Sequence, residues 1–342
     1  MRSFISSEIL GVGHYVPEKI ITNHDLSKIM DTSDTWIKER TGIEERRIAD
    51  TGVSTSDLGY KASLNLFQET ACSPHDIDLI IAATLSPDYY FPGIGVLIQR
   101  KLELTCPAMD LRAQCSGFSW GITTAHAMLQ SNQYKNILVV GADLHSRVIE
   151  FSNRGRNVSV LFGDGAGAVL ISANNVAEKP TAQNNISGII DNTMGSDGTG
   201  AEVLAMLRPG MSGSESFFTP KEAEEKAYLP YMEGRKVFKN AVVRMCESLT
   251  TLLQRNDLQT SDIDLLIPHQ ANTRIIDTVG EKMGFSKDKL VSNISKYGNT
   301  TSASLPLCMK DAIKEGRLKK GNLIMTVVFG SGFTWGANLI RW

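Results

Sequence analysis

Two distant stretches of this 342-residue chain carry nearly the same residues in the same order. Ser73-Pro74-His75-Asp76-Ile77-Asp78-Leu79-Ile80-Ile81 returns as Thr260-Ser261-Asp262-Ile263-Asp264-Leu265-Leu266-Ile267, displaced by 186 residues (Asp78 to Asp264). A repeat at so long a period marks a duplicated domain, not an array of small units. Each copy follows a helix-like stretch, at about 56–71 and 236–255, and leads into an apolar strand that ends in a polar loop. Further on, Phe118, Ile122, Ala125 and Leu129 form one helical stripe, and Leu305, Met309, Ala312 and Ile313 form another. Pro306 is tolerated there only in a first turn. Two apolar strands follow, Ile137–Gly141 and Leu323–Val328. The order helix, strand, helix, strand in each half predicts an α/β fold with largely parallel sheets and helices on their faces.

The polar stretch from Asn174 to Asn185 is the natural seam, which gives halves at 1–178 and 179–342. The segment at about 205–230 has no counterpart in the first half. It reads either as a surface excursion or as a loop whose Phe217-Phe218 pair caps a substrate entrance. Apolar residues make up 42% of the chain and charged residues 21%, enough for a sizeable core in a globular protein. A net charge of −2 gives no basic field for nucleic acid. The five cysteines (72, 106, 115, 246 and 308) form no CxxC pair and read as reduced and cytoplasmic. Glu8 interrupts the apolar start, so a signal peptide is not expected, and no apolar run reaches the ~18 residues of a membrane span.

Cys115 stands at the start of the first stripe. The macrodipole and the unpaired N–H groups of a helix start favour thiolate, by ~0.3–2 kcal/mol or up to about one and a half pKa units. From ~8.5 that leaves much of the thiol protonated at neutral pH, so a nearby histidine has to complete the activation. A small buried hydrophobe is the alternative reading. Carried by the repeat offset, Cys115 lands two residues from Asn299. His269 ends the repeated strand of the second half, at the strand end where open sheets bind ligands. Cys115, His269 and Asn299 are therefore expected to meet where the halves join; a capping asparagine and a core histidine are the alternatives.

Six ordered motifs now carry a resemblance over nearly the whole chain: Trp36-Ile37-Lys38-Glu39-Arg40-Thr41-Gly42-Ile43, Cys115-Ser116-Gly117-Phe118, Leu161-Phe162-Gly163-Asp164-Gly165-Ala166-Gly167-Ala168, Pro268-His269-Gln270-Ala271-Asn272, Tyr297-Gly298-Asn299-Thr300 and Gly332-Phe333-Thr334-Trp335-Gly336. The set resembles the β-ketoacyl-acyl carrier protein synthase III family of thiolase-like condensing enzymes. The resemblance implies a thiolase-like fold, with two duplicated halves packed in α-β-α-β-α layers. It implies that Cys115 takes an acyl group from acyl-CoA and that His269 and Asn299 hold a malonyl thioester carbonyl as CO2 leaves. The N–H groups of Cys115 and Ser331 would hold the oxyanion. Trp36 and Arg156 resemble the pair that sandwiches the CoA adenine, with Arg154 a near neighbour, and Arg40 would meet the phosphates. Lys239 and Gln270 to Arg274 resemble the region where malonyl-acyl carrier protein docks. Phe91 resembles an aromatic that closes a partner's acyl pocket across a homodimer. No cofactor or metal is implied beyond acyl-CoA as substrate.

The chain departs from the family pattern at Ser116, where alanine is frequent, at Ser331, which replaces a glycine, and in the longer segment at 205–230. Gly163 to Gly167 does not satisfy G-x-G-x-x-G at the first strand–helix turn, so close backbone packing is expected there instead of nucleotide binding. His126, about three turns along the Cys115 helix, is expected to be structural, and His145 to support the site at most. No residue cluster has metal spacing, and no G-x-S-x-G elbow occurs. Asn299 favours decarboxylative condensation, and the leading expectation is an enzyme that begins fatty acid synthesis. The rivals are a relative in secondary metabolism with another β-keto or aromatic acceptor, a non-decarboxylating acyltransferase or hydrolase, and a non-catalytic partner subunit.

Overall fold

The computed structural model describes residues 4–213 and 216–342. The first half forms a five-stranded sheet from β1 (Phe4–Tyr15), β2 (Leu79–Ala83), β3 (Ala108–Leu111), β4 (Asn136–Asp143) and β5 (Gly165–Val176), in the order β1-β5-β4-β2-β3. The second half repeats it with β6 (Gly188–Ser196), β7 (Leu265–Pro268), β8 (Leu323–Gly330) and β9 (Thr334–Arg341), in the order β6-β9-β8-β7. The place of β3 is taken there by a single parallel bridge from Leu266 to Leu290. The residues between Val176 and Gly188, where the seam was read, join one sheet to the other.

The sheets are mixed, not largely parallel. β2 pairs parallel with β3 and β4, whereas β5 runs antiparallel to both β4 and β1. The same switch recurs around β9. A helix supplies each crossover between parallel strands; a short turn reverses the chain after β8, and the longer segment 144–164 reverses it after β4.

Helices α1 (Thr55–Glu69) and α2 (Ile94–Lys101) cover one sheet, and α4 (Gly234–Arg255) and α5 (Thr273–Met283) cover the other. Ser54 and Asp57 close a capping box that fixes the start of α1. Between the sheets lie α3 (Gly117–Gln130) and α6 (Ser304–Lys314). The expected stripe Phe118, Ile122, Ala125 and Leu129 is fully buried there, packed with Ile81 and Val139 of one sheet and Ile267 and Ile324 of the other. Burying a large side chain of this kind stabilises by roughly 1.5–3 kcal/mol, so the central pair ties the halves together. The result is five layers, α-β-α-β-α. Pro306 does fall in the first turn of α6. Gly163 sits where a Cβ would lie 2.3 Å from the Tyr297 carbonyl oxygen, which is close backbone packing and accounts for that glycine-rich motif. Among the described residues, no helix is long and apolar enough to cross a membrane.

Candidate active site

Each central helix is entered through a tight 3-10 turn, Gln114–Ser116 before α3 and Thr301–Ala303 before α6. The turns are duplicates down to the backbone. Gln114 has φ 47° and Thr301 has φ 51°, the left-handed region that non-glycine residues avoid. The counterpart of Cys115 is therefore Ser302, one residue beyond the sequence offset, and Asn299 belongs to the loop leading into the second turn.

Cys115, His269, Asn299 and Ser331 all line one cavity of about 930 Å³. Cys115 is buried, and burial together with the Asp143 carboxylate pushes its thiol up to about 12. Backbone N–H groups of Cys115 and Ser331 oppose that shift by bonding the sulfur. Burial outweighs the helix start, so Cys115 rests as a thiol. Gly330 lets the Ser331 turn come this close, since a Cβ there would lie 3.1 Å from Cys115 N. The Ser331 hydroxyl donates to the Leu204 carbonyl. Ser116 Oγ donates to the Thr334 carbonyl at 3.0 Å, which ties the Cys115 turn to β9.

His269 follows β7, and its N–H donates to Val327 O at 2.8 Å. Its Nδ1 lies 2.6 Å from Ser304 Oγ, which also accepts the Gln270 N–H at 3.3 Å. Burial pushes the imidazole down to about 4, so it is neutral at physiological pH. Asn299 Oδ1 accepts from Thr301 N–H at 2.9 Å. That bond turns the amide nitrogen of Asn299 toward the cavity. Beneath Asn299 lies Asp143 at the end of β4. One of its oxygens accepts from Thr84 Oγ1, Leu85 N–H and Ser86 Oγ; the other accepts from Thr301 Oγ1, Ser302 N–H and Ser302 Oγ.

The other expected residues divide. Trp36, Arg40 and Arg274 line the same cavity. Arg40 lies 4.5 Å and Arg156 5.1 Å from the Trp36 ring. At that spacing Arg156 leaves no room for a base between itself and Trp36, so an adenine has to part the pair or stack beside it. Arg154 pairs instead with Glu150. Lys239 is exposed on α4. Gln270 is not on a docking surface. It is buried, its amide nitrogen donates to Pro268 O at 2.7 Å, and its oxygen accepts from Ser292 Oγ and Asn293 N–H. Phe91 is 80% exposed and does not border the cavity of its own chain. Phe217 packs on Tyr90 at 4.9 Å and Phe218 near Tyr228 at 6.3 Å, so that aromatic pair caps no entrance. The two ends of the segment do border the cavity. Leu204–Ala205 and Tyr231–Met232 pair as a two-stranded ribbon whose residues line the wall. Arg235, also on the wall, escaped the sequence reading because it follows a segment with no repeat to place it. His126 bonds Ser7 Oγ at 2.9 Å and lies outside the cavity. Among the described residues, no group of His, Cys, Asp and Glu has the arrangement of a metal site.

Two family models match the chain. 3-Oxoacyl-[acyl-carrier-protein (ACP)] synthase III matches residues 109–198, and its C-terminal model matches residues 253–342. The chain is 42% identical over 339 residues to beta-ketoacyl-[acyl-carrier-protein] synthase III of Caldanaerobacter subterraneus, covering 99% of this chain and 98% of that one. It is 43% identical to the protein of the same name from Listeria monocytogenes, over 99% of both. The crystal structure of 3-oxoacyl-[acyl-carrier-protein] synthase III from Aquifex aeolicus superposes with a TM-score of 0.87 at 38% identity, covering 98% of this chain and 100% of that one.

Proposed function

The chain belongs to the 3-oxoacyl-[acyl-carrier-protein] synthase III family, and from that membership we propose how its residues divide the two stages of the reaction. It is a condensing enzyme of the acyltransferase class. It joins an acyl-CoA primer to malonyl-acyl carrier protein, which yields a 3-oxoacyl thioester, CO2 and CoA and opens fatty acid synthesis.

In the first stage Cys115 Sγ attacks the primer's thioester carbonyl, and the N–H groups of Cys115 and Ser331 receive the oxyanion. The thiol proton passes to His269 Nε2 and on to the departing CoA sulfur. This needs the tautomer with Nδ1–H donating to Ser304 Oγ. In the second stage the malonyl thioester carbonyl accepts from His269 Nε2–H and the Asn299 amide. CO2 leaves, the enolate carbon attacks the acyl group on Cys115, and the freed sulfur takes up a proton. This needs the opposite tautomer, with the Ser304 hydroxyl donating to Nδ1. One hydroxyl serves both, because it can donate or accept. The neutrality of His269 suits the second stage, where a donor is wanted and a cation is not. The observation that carries the assignment is the convergence of Cys115, His269, Asn299 and Ser331 on one cavity.

Arg40, Arg235 and Arg274 on the cavity wall, with the exposed Lys239 on the same helix as Arg235, suit the CoA phosphates and an acidic carrier protein. The exposed Tyr89, Tyr90 and Phe91 support a homodimer in which Phe91 reaches the partner's pocket. The five unpaired cysteines support a cytoplasmic setting.

The test separates the stages. Enzyme exposed to acyl-CoA is weighed intact, then given malonyl-acyl carrier protein while CO2 is trapped. Asn299→Ala is expected to acylate within about threefold of wild type and to lose ~10²–10³ in CO2 release, the usual cost of one oxyanion donor. Equal loss in both stages would sink the division of labour.

A further inference from the structure

Two polar side chains that neither stage uses border the same cavity without partners. His145 follows β4 and is 4% exposed, and neither of its ring nitrogens has a hydrogen-bond partner among the described residues. Burial holds it at about 4, so the ring is neutral, with one N–H and one lone pair. Gln114, next to the nucleophile, leaves its buried Oε1 without a donor. His145 lines the cavity as a buried residue. Its ring centre lies 4.1 Å from that of Phe162, and the backbone of Phe162 pairs with Asn299. The mouth, marked by Trp36 and Arg274, is a separate region.

Leu85, Leu161, Phe162 and Leu204 contribute apolar side chains to the lining of the same cavity. A polar atom buried there gives up its bond to water and needs a replacement. A saturated acyl chain offers none. A hydroxyl offers both halves, accepting from the imidazole N–H and donating to Gln114 Oε1. Resting on the condensing reading above, we infer that the primer pocket of this chain selects an acyl thioester bearing a hydroxyl over the plain saturated chain of equal length. Small rotations of the imidazole and amide bring their polar atoms to the acyl group once Cys115 carries it. A keto oxygen meets the imidazole alone, so an oxo chain ranks between the two.

The experiment follows acylation of Cys115 by intact-protein mass spectrometry. The probes are butyryl-CoA, 3-hydroxybutyryl-CoA and acetoacetyl-CoA, with hexanoyl-CoA paired against its 3- and 5-hydroxy forms. At least one hydroxyacyl-CoA is expected to exceed its saturated partner by tenfold or more in kcat/KM. His145→Leu is expected to remove that advantage, bringing the ratio of hydroxyacyl to saturated kcat/KM to about one. A site built to bond a hydroxyl discriminates strongly against the chain that lacks it. Saturated chains reacting as fast as every hydroxy form in the wild type would overturn the inference, whether or not the variant folds. So would an unchanged ratio in His145→Leu. Acylation by saturated primers followed by normal CO2 release would leave the condensing reading standing, so the two failures are distinguishable. No acylation by any probe would overturn both.

Discussion

The turn that holds Cys115 and the turn that holds Ser302 share one backbone and opposite fates. Each begins with a non-glycine residue in the left-handed region, makes one tight turn and feeds a buried central helix. The first delivers its middle side chain to the cavity. The second buries it, with Ser302 Oγ donating to Asp143 at 2.5 Å and lying 3.0 Å from Ala83 O. A β-branched residue such as Thr301 is costly at positive φ, and three bonds from the second turn to one Asp143 oxygen hold it there. The Thr301 N–H that results fixes Asn299. Duplication thus gives one turn that presents its middle side chain to the cavity and one that holds Asn299 in place beside it.

The sharpest break in that comparison is at the reacting turn. Cys115→Ala is expected to abolish acyl-enzyme formation entirely while leaving His269 and Asn299 in place. The variant should still decarboxylate malonyl-acyl carrier protein slowly without a primer. That residual rate carries the pH signature of His269. The imidazole is depressed to about 4 by burial, so its neutral donor form persists above that value and is lost as pH falls through it. CO2 release is expected to be flat from about pH 6 to 8 and to fall below about pH 5. A fall centred near 6.5 would mean that the ring is solvated.

Breaking the supporting turn has a smaller and two-signed effect. Asp143→Asn keeps the shape but turns an amide group toward the Ser302 N–H, which also donates, so Thr301 and Asn299 lose their anchor. Condensation is expected to drop ~10–100-fold, with stability lower by ~2–4 kcal/mol. The Asp143 charge is also one of the causes that raise the Cys115 thiol. Alkylation of Cys115 by iodoacetamide at pH 8 is therefore expected to speed up in the same variant. A plain loss of fold does not explain slower condensation beside faster alkylation in protein whose circular dichroism and elution volume are unchanged.

Much of this contrast was legible before the fold was known. The repeated Asp-Ile-Asp-Leu and Asp-Ile-Asp-Leu-Leu stretches lead into β2 and β7, which are buried strands, and apolar runs of that kind survive divergence as pattern. The central helices were legible from their stripes. Strand direction was not, because β5 and β9 are apolar runs whether they run with or against their neighbours. The pairing of Cys115 with Ser302 slipped by one residue, since the turn is recognised by φ at Gln114 and Thr301 and not by residue type. Gln270 misled for a similar reason. A polar residue after a strand reads as surface, and only the fold shows Pro268 O, Ser292 and Asn293 consuming its amide. Phe217 and Phe218 read as a cap because an aromatic pair in a long loop needs something to cover; Tyr90 and Tyr228 are what they meet.

The mouth of the cavity tests the comparison most gently, because it lies far from both turns. Trp36 is held between the start of a helix capped by Ser33 and the guanidinium groups of Arg40 and Arg156. Arg156 is also engaged with Asp31. A nucleotide base that stacks on Trp36 has to displace part of this cluster, so the net gain is smaller than a free indole would give. An exposed cation–π contact contributes ~0.5–1 kcal/mol, a few-fold in binding. Trp36→Ala is expected to raise the KM for acyl-CoA about three- to tenfold in the first stage. It should leave kcat and the CO2 release of the Cys115→Ala enzyme unchanged, since neither turn touches Trp36. A fall in kcat as large as the rise in KM would tie the mouth to the reacting turn and erase the separation.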